Sequence, residues 1–303
     1  MRITIVGIGA MGCLFGAYLS QVSEVTLLGH WPEQVATLRQ NGLRLIGLDG
    51  GESHHQLTVV TTPAAAPPAD LILILVKSYQ TAEVAPLVAQ LLAPAGIAVT
   101  LQNGLNNLAQ LTAVLGSECV TLGSTAQGAT LIEPGLVRHA GVGPTYLAET
   151  DETAVRLRQL ACLLQEAGLD THLVQDAASL LWGKLAINAA INPLGALLNV
   201  PNGYLVRNAT ARKFMVAAAR EAAAVAEGLG ISLPYADATA QAIAVAQATA
   251  SNYASMSQDM QRGRPTEIEA ICGPIVRYGR QLGIPTPVNG RLLTLINSAE
   301  DRV

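Results

Sequence analysis

Lys184, Asn188 and Asn192 stand at intervals of four in an otherwise apolar run that includes Leu185, Ala186, Ile187, Ala189 and Ala190. In a helix, at about 100° per residue, the three share a stripe roughly 80° wide. An amine and two amides on an apolar helix need partners when buried, whether protein, water or ligand. Hydride addition to a 2-oxo acid puts negative charge on the former carbonyl oxygen. A lysine can neutralise that charge and donate a proton, and burial that lowers its pKa towards neutrality makes it a better donor. On spacing alone, a lysine that snorkels from a helix surface is an equal alternative.

A second group opens the chain. Residues 7–12 read Gly7-Ile8-Gly9-Ala10-Met11-Gly12, directly after the β-branched run at 3–6 and at the head of an apolar segment. In this pattern the first glycine permits a tight strand-to-helix turn, and the second lets a pyrophosphate approach the backbone. The third lets the helix pack closely on the strand, its first N–H groups facing the phosphates. The hexamer alone is a weak signal, and a glycine turn kept for packing is its plain alternative. The flanking strand and helix are what make dinucleotide binding the reading. The second strand, EVTLL, runs into Gly29, His30, Trp31 and Pro32, with no acid before Glu33 and no arginine before Arg39. The missing acid favours NADP over NAD, with His30 as the candidate partner of the 2′-phosphate.

These residues need elements to position them. Short apolar or β-branched runs at 3–6, 24–28, 71–76, 97–101 and 120–125 alternate with helical stretches at 10–20, 32–40 and 78–92. The runs LILILV and IAVTL are continuously apolar, as strands covered on both faces are. The expectation is an α/β chain with an N-terminal Rossmann-type, doubly wound sheet. Residues 129–148 break the rhythm, and EPG at 133–135 predicts a hairpin turn. From about residue 175 the pattern is helical, at 176–191, 210–229, 236–250, 265–282 and 288–300. Asn192-Pro193, PNG at 201–203, Leu233-Pro234 and IPTP at 284–287 punctuate it. The chain therefore reads as a dinucleotide-binding domain over 1–174 and an all-α substrate-binding domain over 175–303.

Composition bounds the function. The 303 residues suffice for two ordinary domains; half are hydrophobic and 13% charged. The net charge of −4 offers no basic face, which argues against nucleic acid. The apolar start at 3–19 is interrupted by Gly7, Gly9, Gly12 and Gly16, unlike a signal peptide or membrane span. Cys13, Cys119, Cys162 and Cys272 are far apart and form no CxxC pair, so they read as core residues of a reducing compartment. His54-His55 and His139 have no metal-like companions. The expectation is a cytoplasmic protein without metal, nucleic acid or membrane partner, with monomer and homodimer both open.

Further motifs follow in a fixed order: VKSYQ at 76–80, QNG at 102–104, WGKLAINAAINPL at 182–194, NVPNG at 199–203, NYASMSQD at 252–259 and RPTEIE at 264–269. Together they resemble the ketopantoate reductase family (2-dehydropantoate 2-reductases), over essentially the whole chain. The KLxxNxxxNP and SMxxD…TEI segments are much more specific than the glycine hexamer. The resemblance implies an active site in the cleft between a Rossmann-type and a helical domain. It makes Lys184 the acid that protonates the substrate carbonyl and Glu267 the acidic residue beside cofactor and reactive centre. Asn103, Asn188, Asn192, Asn202 and Ser255 would hold the substrate. Lys77, Gln80, Asn103 and Ala129 would lie on or near the cofactor path, Asn103 near its nicotinamide end. The implied reaction is NADPH-dependent reduction of 2-dehydropantoate to pantoate, a step towards coenzyme A. His30 stands where the family commonly has arginine, which keeps NAD open, because some members acting on other 2-oxo acids use it.

Taken singly, these residues have plainer readings. Asn192 before Pro193 could stop a helix, and Asn202-Gly203 could be only a turn. Ser255 and Asn252 could cap a helix beginning near Met256. Glu267 could be a first-turn acid after Pro265, and Lys77 a solvated loop residue. The rival functions are an NAD-dependent D-2-hydroxyacid dehydrogenase of the same family and a non-catalytic dinucleotide sensor.

Overall fold

A computed structural model describes residues 1–301 of the chain. It divides into two compact units: Met1–Gln102 with Asn106–Ala177, and Asn103–Leu105 with the chain from Ala178 onward.

The first unit alternates strand and helix: β1 (Arg2–Val6), α1 (Ala10–Leu19), β2 (Glu24–Leu28), α2 (Pro32–Asn41), β3 (Leu43–Ile46), β4 (Glu52–His55), β5 (Thr58–Val60), β6 (Ala69–Ile74), α3 (Thr81–Leu91), β7 (Leu92–Thr100), α4 (Asn107–Leu115) and β8 (Val120–Thr125). The hairpin β9 (Gly128–Glu133) and β10 (Leu136–Gly141) follows, then β11 (Thr145–Ala148), α5 (Ala154–Glu166) and β12 (Thr171–Val174). The main sheet has the order β12-β11-β8-β7-β6-β1-β2-β5. Its run from β5 to β8 is parallel throughout, and β11 pairs with β8 antiparallel. The chain leaves β1 towards β2 on one side and returns to β6 on the other, which makes the carboxyl ends of β1 and β6 a topological switch point. Continuous apolar strands such as Leu71–Ile74 are buried because cores pack on both faces of the sheet.

The expected hairpin is present, turning at Gly135, where φ is +78°. Its β10 pairs with β3, which in turn pairs with β4, in a separate four-stranded sheet, β4-β3-β10-β9. β3 to β5 were not expected from the sequence; β3 (LRLI) and β5 (TVV) are short, and only β4 lacks any strand pattern. β4 is the run ESHH, polar and largely exposed, so it lacks the apolar alternation that announces a strand.

The second unit is helical: α6 (Ala177–Leu198), α7 (Asn202–Arg207), α8 (Ala209–Gly228), α9 (Ala238–Ala248), α10 (Ser255–Gln261), α11 (Ile268–Leu282) and α12 (Pro287–Glu300). Alanines at 186, 189, 190, 211, 218, 219, 222, 226, 242 and 246 fill its core, and their small volume lets helices approach closely. Asn192-Pro193 does not stop α6, which continues five residues beyond the proline to Leu198. Residues 189–196 are all buried, so packing on every side outweighs the hydrogen bond that Pro193 cannot donate. No helix among the described residues is long and apolar enough to cross a membrane.

Candidate active site

The glycine loop lies at the switch point. Gly7 has φ +116°, and a Cβ there would come within 2.8 Å of the Leu75 and Val76 backbone. A Cβ on Gly12 would fall on the carbonyl oxygen of Gly7. Both glycines are therefore demanded by the fold. Gly9 is different: its φ is −76°, it is exposed, and a Cβ there would meet nothing within 4 Å. Packing gives no reason for glycine at this position, whereas a phosphate approaching the first turn of α1 does. Ala10, Met11 and Gly12 form that first turn, whose N–H groups have no partner within the helix. Ile8 is buried and carries the loop into the core.

His30 is exposed at the corner after β2, two residues beyond its end. Arg39, the next basic residue, is drawn elsewhere: its Nε donates to the Val59 carbonyl of β5 at 3.0 Å. Lys77 is half-buried just past β6, and its backbone N–H donates to Gln80 Oε1 at 3.3 Å, so Gln80 shapes the turn that bears Lys77. Ala129 lies in β9, in the small sheet, opposite His139 and partly packed against the core around α1.

In the second unit, four of the expected residues converge. Asn103 Nδ2 donates to Glu267 Oε2 at 2.9 Å, and Asn188 Nδ2 reaches Asn103 Oδ1 at 3.5 Å. Glu267 is 5% exposed and occupies the N-cap position of α11, and the first-turn acid of that helix is Glu269. Lys184, half-buried one turn before Asn188 on α6, feels the Glu267 charge. Burial pushes the Lys184 ammonium down from 10.5 to about 8, and Glu267 acts in the opposite direction, favouring the charged form. The backbone beside Asn103 is fixed by Gly104 at φ +92°, where a Cβ would come within 2.6 Å of the Ala270 Cβ. A half-buried ammonium poised near neutrality, with a carboxylate held by the Asn103 amide, is an arrangement for moving a proton.

The remaining three expected residues stand apart from this hydrogen-bonded group. Asn192 is buried on α6, and neither it nor Ser255 has a side-chain hydrogen bond among the described residues. Asn202, the first residue of α7, donates from Nδ2 to Thr249 Oγ1 at 2.9 Å, while its buried Oδ1 has no partner. Ser255 is exposed and opens α10, whose N-cap is Ala254, so the expected capping role is not realised. No group of three or more His, Cys, Asp and Glu among the described residues could hold a metal ion.

The sequence reading passed over two glutamines. Gln102 is buried; it accepts from Thr100 Oγ1 at 2.8 Å and donates to the Val76 carbonyl at 3.0 Å and Thr81 Oγ1 at 2.9 Å. It thus ties the end of β7 to the turn after β6. Its signal was a polar residue directly after an apolar strand. Gln34, fully buried, had no signal, because α2 reads as a polar surface helix.

Residues 3–152 match the family model "Ketopantoate reductase PanE/ApbA", and residues 176–300 match its C-terminal counterpart. The chain belongs to the ketopantoate reductase family. Its relatives in that family include the 2-dehydropantoate 2-reductase of Halobacterium salinarum, 35% identical over 302 residues that cover 99% of each chain. Among solved structures, a PanE/ApbA family ketopantoate reductase from Ralstonia eutropha superposes with a TM-score of 0.90 at 33% identity, covering 100% of this chain and 99% of the other. D-mandelate dehydrogenase, in a ternary structure with NADH and anilino(oxo)acetate, superposes with a TM-score of 0.92 at 29% identity, covering 100% and 99%.

Proposed function

We propose that this ketopantoate reductase family member reduces 2-dehydropantoate to pantoate with NADPH, and that Lys184 is the proton donor. The observation that carries the reading is Lys184, whose pKa of about 8 lets it be charged at neutral pH and still release its proton. In this reading residues 1–174 serve the dinucleotide and residues 175–303 the substrate.

The fit for a dinucleotide rests on Gly9, where a Cβ would meet nothing in the protein within 4 Å and glycine is still kept. Gly7 to Gly12 would hold the pyrophosphate, His30 the adenosine ribose end, and Lys77, Gln80, Asn103, Ala129 and Glu267 would line the remainder. The nicotinamide, when bound, supplies the hydride. Lys184 Nζ gives its proton to the substrate carbonyl oxygen, so negative charge does not accumulate there, and the neutral amine regains a proton from solvent. Glu267 keeps the lysine charged before the reaction, and Asn103 anchors the Glu267 carboxylate. Asn188, Asn192 and Ser255 present donors for the substrate carboxylate. The unpaired Oδ1 of Asn202 suits the 4-hydroxyl of 2-dehydropantoate, because a buried acceptor gains most from a donor that water does not supply.

A second reading has its own support. The lack of the family's common arginine after β2, where His30 stands, and the likeness to an NADH-bound D-mandelate dehydrogenase favour an NAD-dependent 2-hydroxyacid dehydrogenase acting on another 2-oxo acid. A cofactor-oxidation assay with 2-dehydropantoate and with phenylglyoxylate, each run with NADPH and NADH, separates the two. Highest kcat/KM for 2-dehydropantoate with NADPH is expected. Preference for NADH and phenylglyoxylate would overturn the first reading, and no turnover with any pair would point to a dinucleotide sensor.

A further inference from the structure

Gln34 is fully buried on α2, where the other buried residues are the apolar Val35 and Leu38. Its amide makes hydrogen bonds on both sides. Nε2 donates to the Ile8 carbonyl at 3.0 Å and contacts Cys13 Sγ at 3.2 Å, and Oε1 accepts from the Gly135 N–H at 2.9 Å. The Cys13 thiol donates to the same Ile8 carbonyl at 3.4 Å. The central carbonyl of the glycine loop is thus held twice, by side chains from α1 and α2. The acceptor end of Gln34 is in turn fixed by the hairpin turn, where Gly135 packs so closely that a Cβ would come within 2.5 Å of Thr37 Cγ2.

This has a stereochemical consequence. In a trans peptide the carbonyl of one residue and the N–H of the next point in opposite directions. An Ile8 carbonyl drawn into the core by Gln34 therefore turns the N–H of Gly9, an exposed residue, away from that core. We propose that Gln34 is a positioning residue for the dinucleotide, its amide setting the Ile8–Gly9 peptide so that the Gly9 N–H faces the pyrophosphate. The proposal rests on the reading of residues 7–12 as a dinucleotide loop.

The test is titration of NADPH and NADH into the purified full chain, followed by nicotinamide fluorescence, with steady-state kinetics alongside. Gln34→Met keeps the shape and removes the hydrogen bonds of the amide, leaving the Ile8 carbonyl held only by the longer contact from the Cys13 thiol, so the Ile8–Gly9 peptide is less firmly oriented. Dissociation constants for both cofactors should rise about tenfold, the effect of losing one well-placed hydrogen bond to the phosphates. The cofactor KM should rise in step, while kcat at saturating cofactor and the KM for the 2-oxo acid stay within about twofold. General loosening of the fold would instead lower kcat and raise both KM values together, and that outcome overturns the proposal. So does a folded Gln34→Met chain that binds cofactor as the wild type does. Should Gln34→Met not fold, Gln34→Asn carries the same amide on a shorter stem. Intermediate weakening of cofactor binding then supports the proposal, and unchanged binding refutes it. A wild type that binds neither cofactor would fail the underlying reading, a result distinct from either.

Discussion

Replacing Glu267 with glutamine keeps the side-chain shape, removes the charge and turns one acceptor oxygen into a donor. The amide still offers Oε1 to Asn103 Nδ2, which donates to Glu267 at 2.9 Å in the wild type. What changes is the field at Lys184. Its ammonium is pushed from 10.5 to about 8 by burial, against the opposing pull of Glu267. The net displacement corresponds to roughly 3 kcal/mol in favour of the neutral amine. Without the carboxylate, burial acts unopposed and the lysine pKa moves lower, by about one unit if the pair behaves as nearby opposite charges usually do. Reduction needs the protonated amine, so the rate falls as pH rises through the lysine pKa. In Glu267→Gln that descending limb should move from about pH 8 to about pH 7. The ratio of variant to wild-type kcat/KM should be near one at about pH 6, one half at about pH 7 and one fifth at about pH 8. Initial rates of nicotinamide oxidation across this range measure it. A uniform loss at every pH, or a limb that stays in place, would refute the claim that Glu267 acts through the charge on Lys184.

Three further outcomes follow from other parts of the molecule. Gly9→Val should weaken dinucleotide binding by more than about tenfold in a fluorescence titration, while stability falls by no more than about 1 kcal/mol, because the position is exposed and a Cβ there meets nothing within 4 Å. His30→Ala should lower NADPH affinity severalfold more than NADH affinity; equal losses would remove His30 from the 2′-phosphate. Gly104→Ala must accommodate a Cβ at φ +92° against Ala270, so thermal or urea unfolding should show a loss of about 2 kcal/mol, with a fall in kcat as Asn103 leaves Glu267.

The parts of this structure legible from sequence are those whose physics is local. Leu71–Ile74 announces a two-sided buried strand because every residue in it is apolar, and the glycine spacing announces the turn after β1. The Lys184–Asn188 stripe follows from helical periodicity alone. What escaped depends on distant partners. Asn103 and Glu267 are 164 residues apart, and no periodic pattern records that they bond; only the resemblance to a family placed them together. Gln34 bonds across 101 residues to Gly135 and looks like any surface glutamine until that partner is seen. Pro193 misled for the same reason. Its local preference is to end a helix, and the buried surroundings of residues 189–196 override it.

The central claim is that Lys184 donates the proton, and the most direct measurement is the pH dependence of kcat/KM for 2-oxo acid reduction in the wild type beside Lys184→Ala. The wild-type rate should be flat at low pH and decline above about 8, the lysine value in this site. Lys184→Ala should lose roughly two to four orders of magnitude in kcat and show no descending limb in that range, while its cofactor affinity by fluorescence stays close to wild type. A Lys184→Ala chain that keeps near-full kcat, or that keeps the same limb, would contradict the account and move the search for the proton source to Glu267 or a bound water.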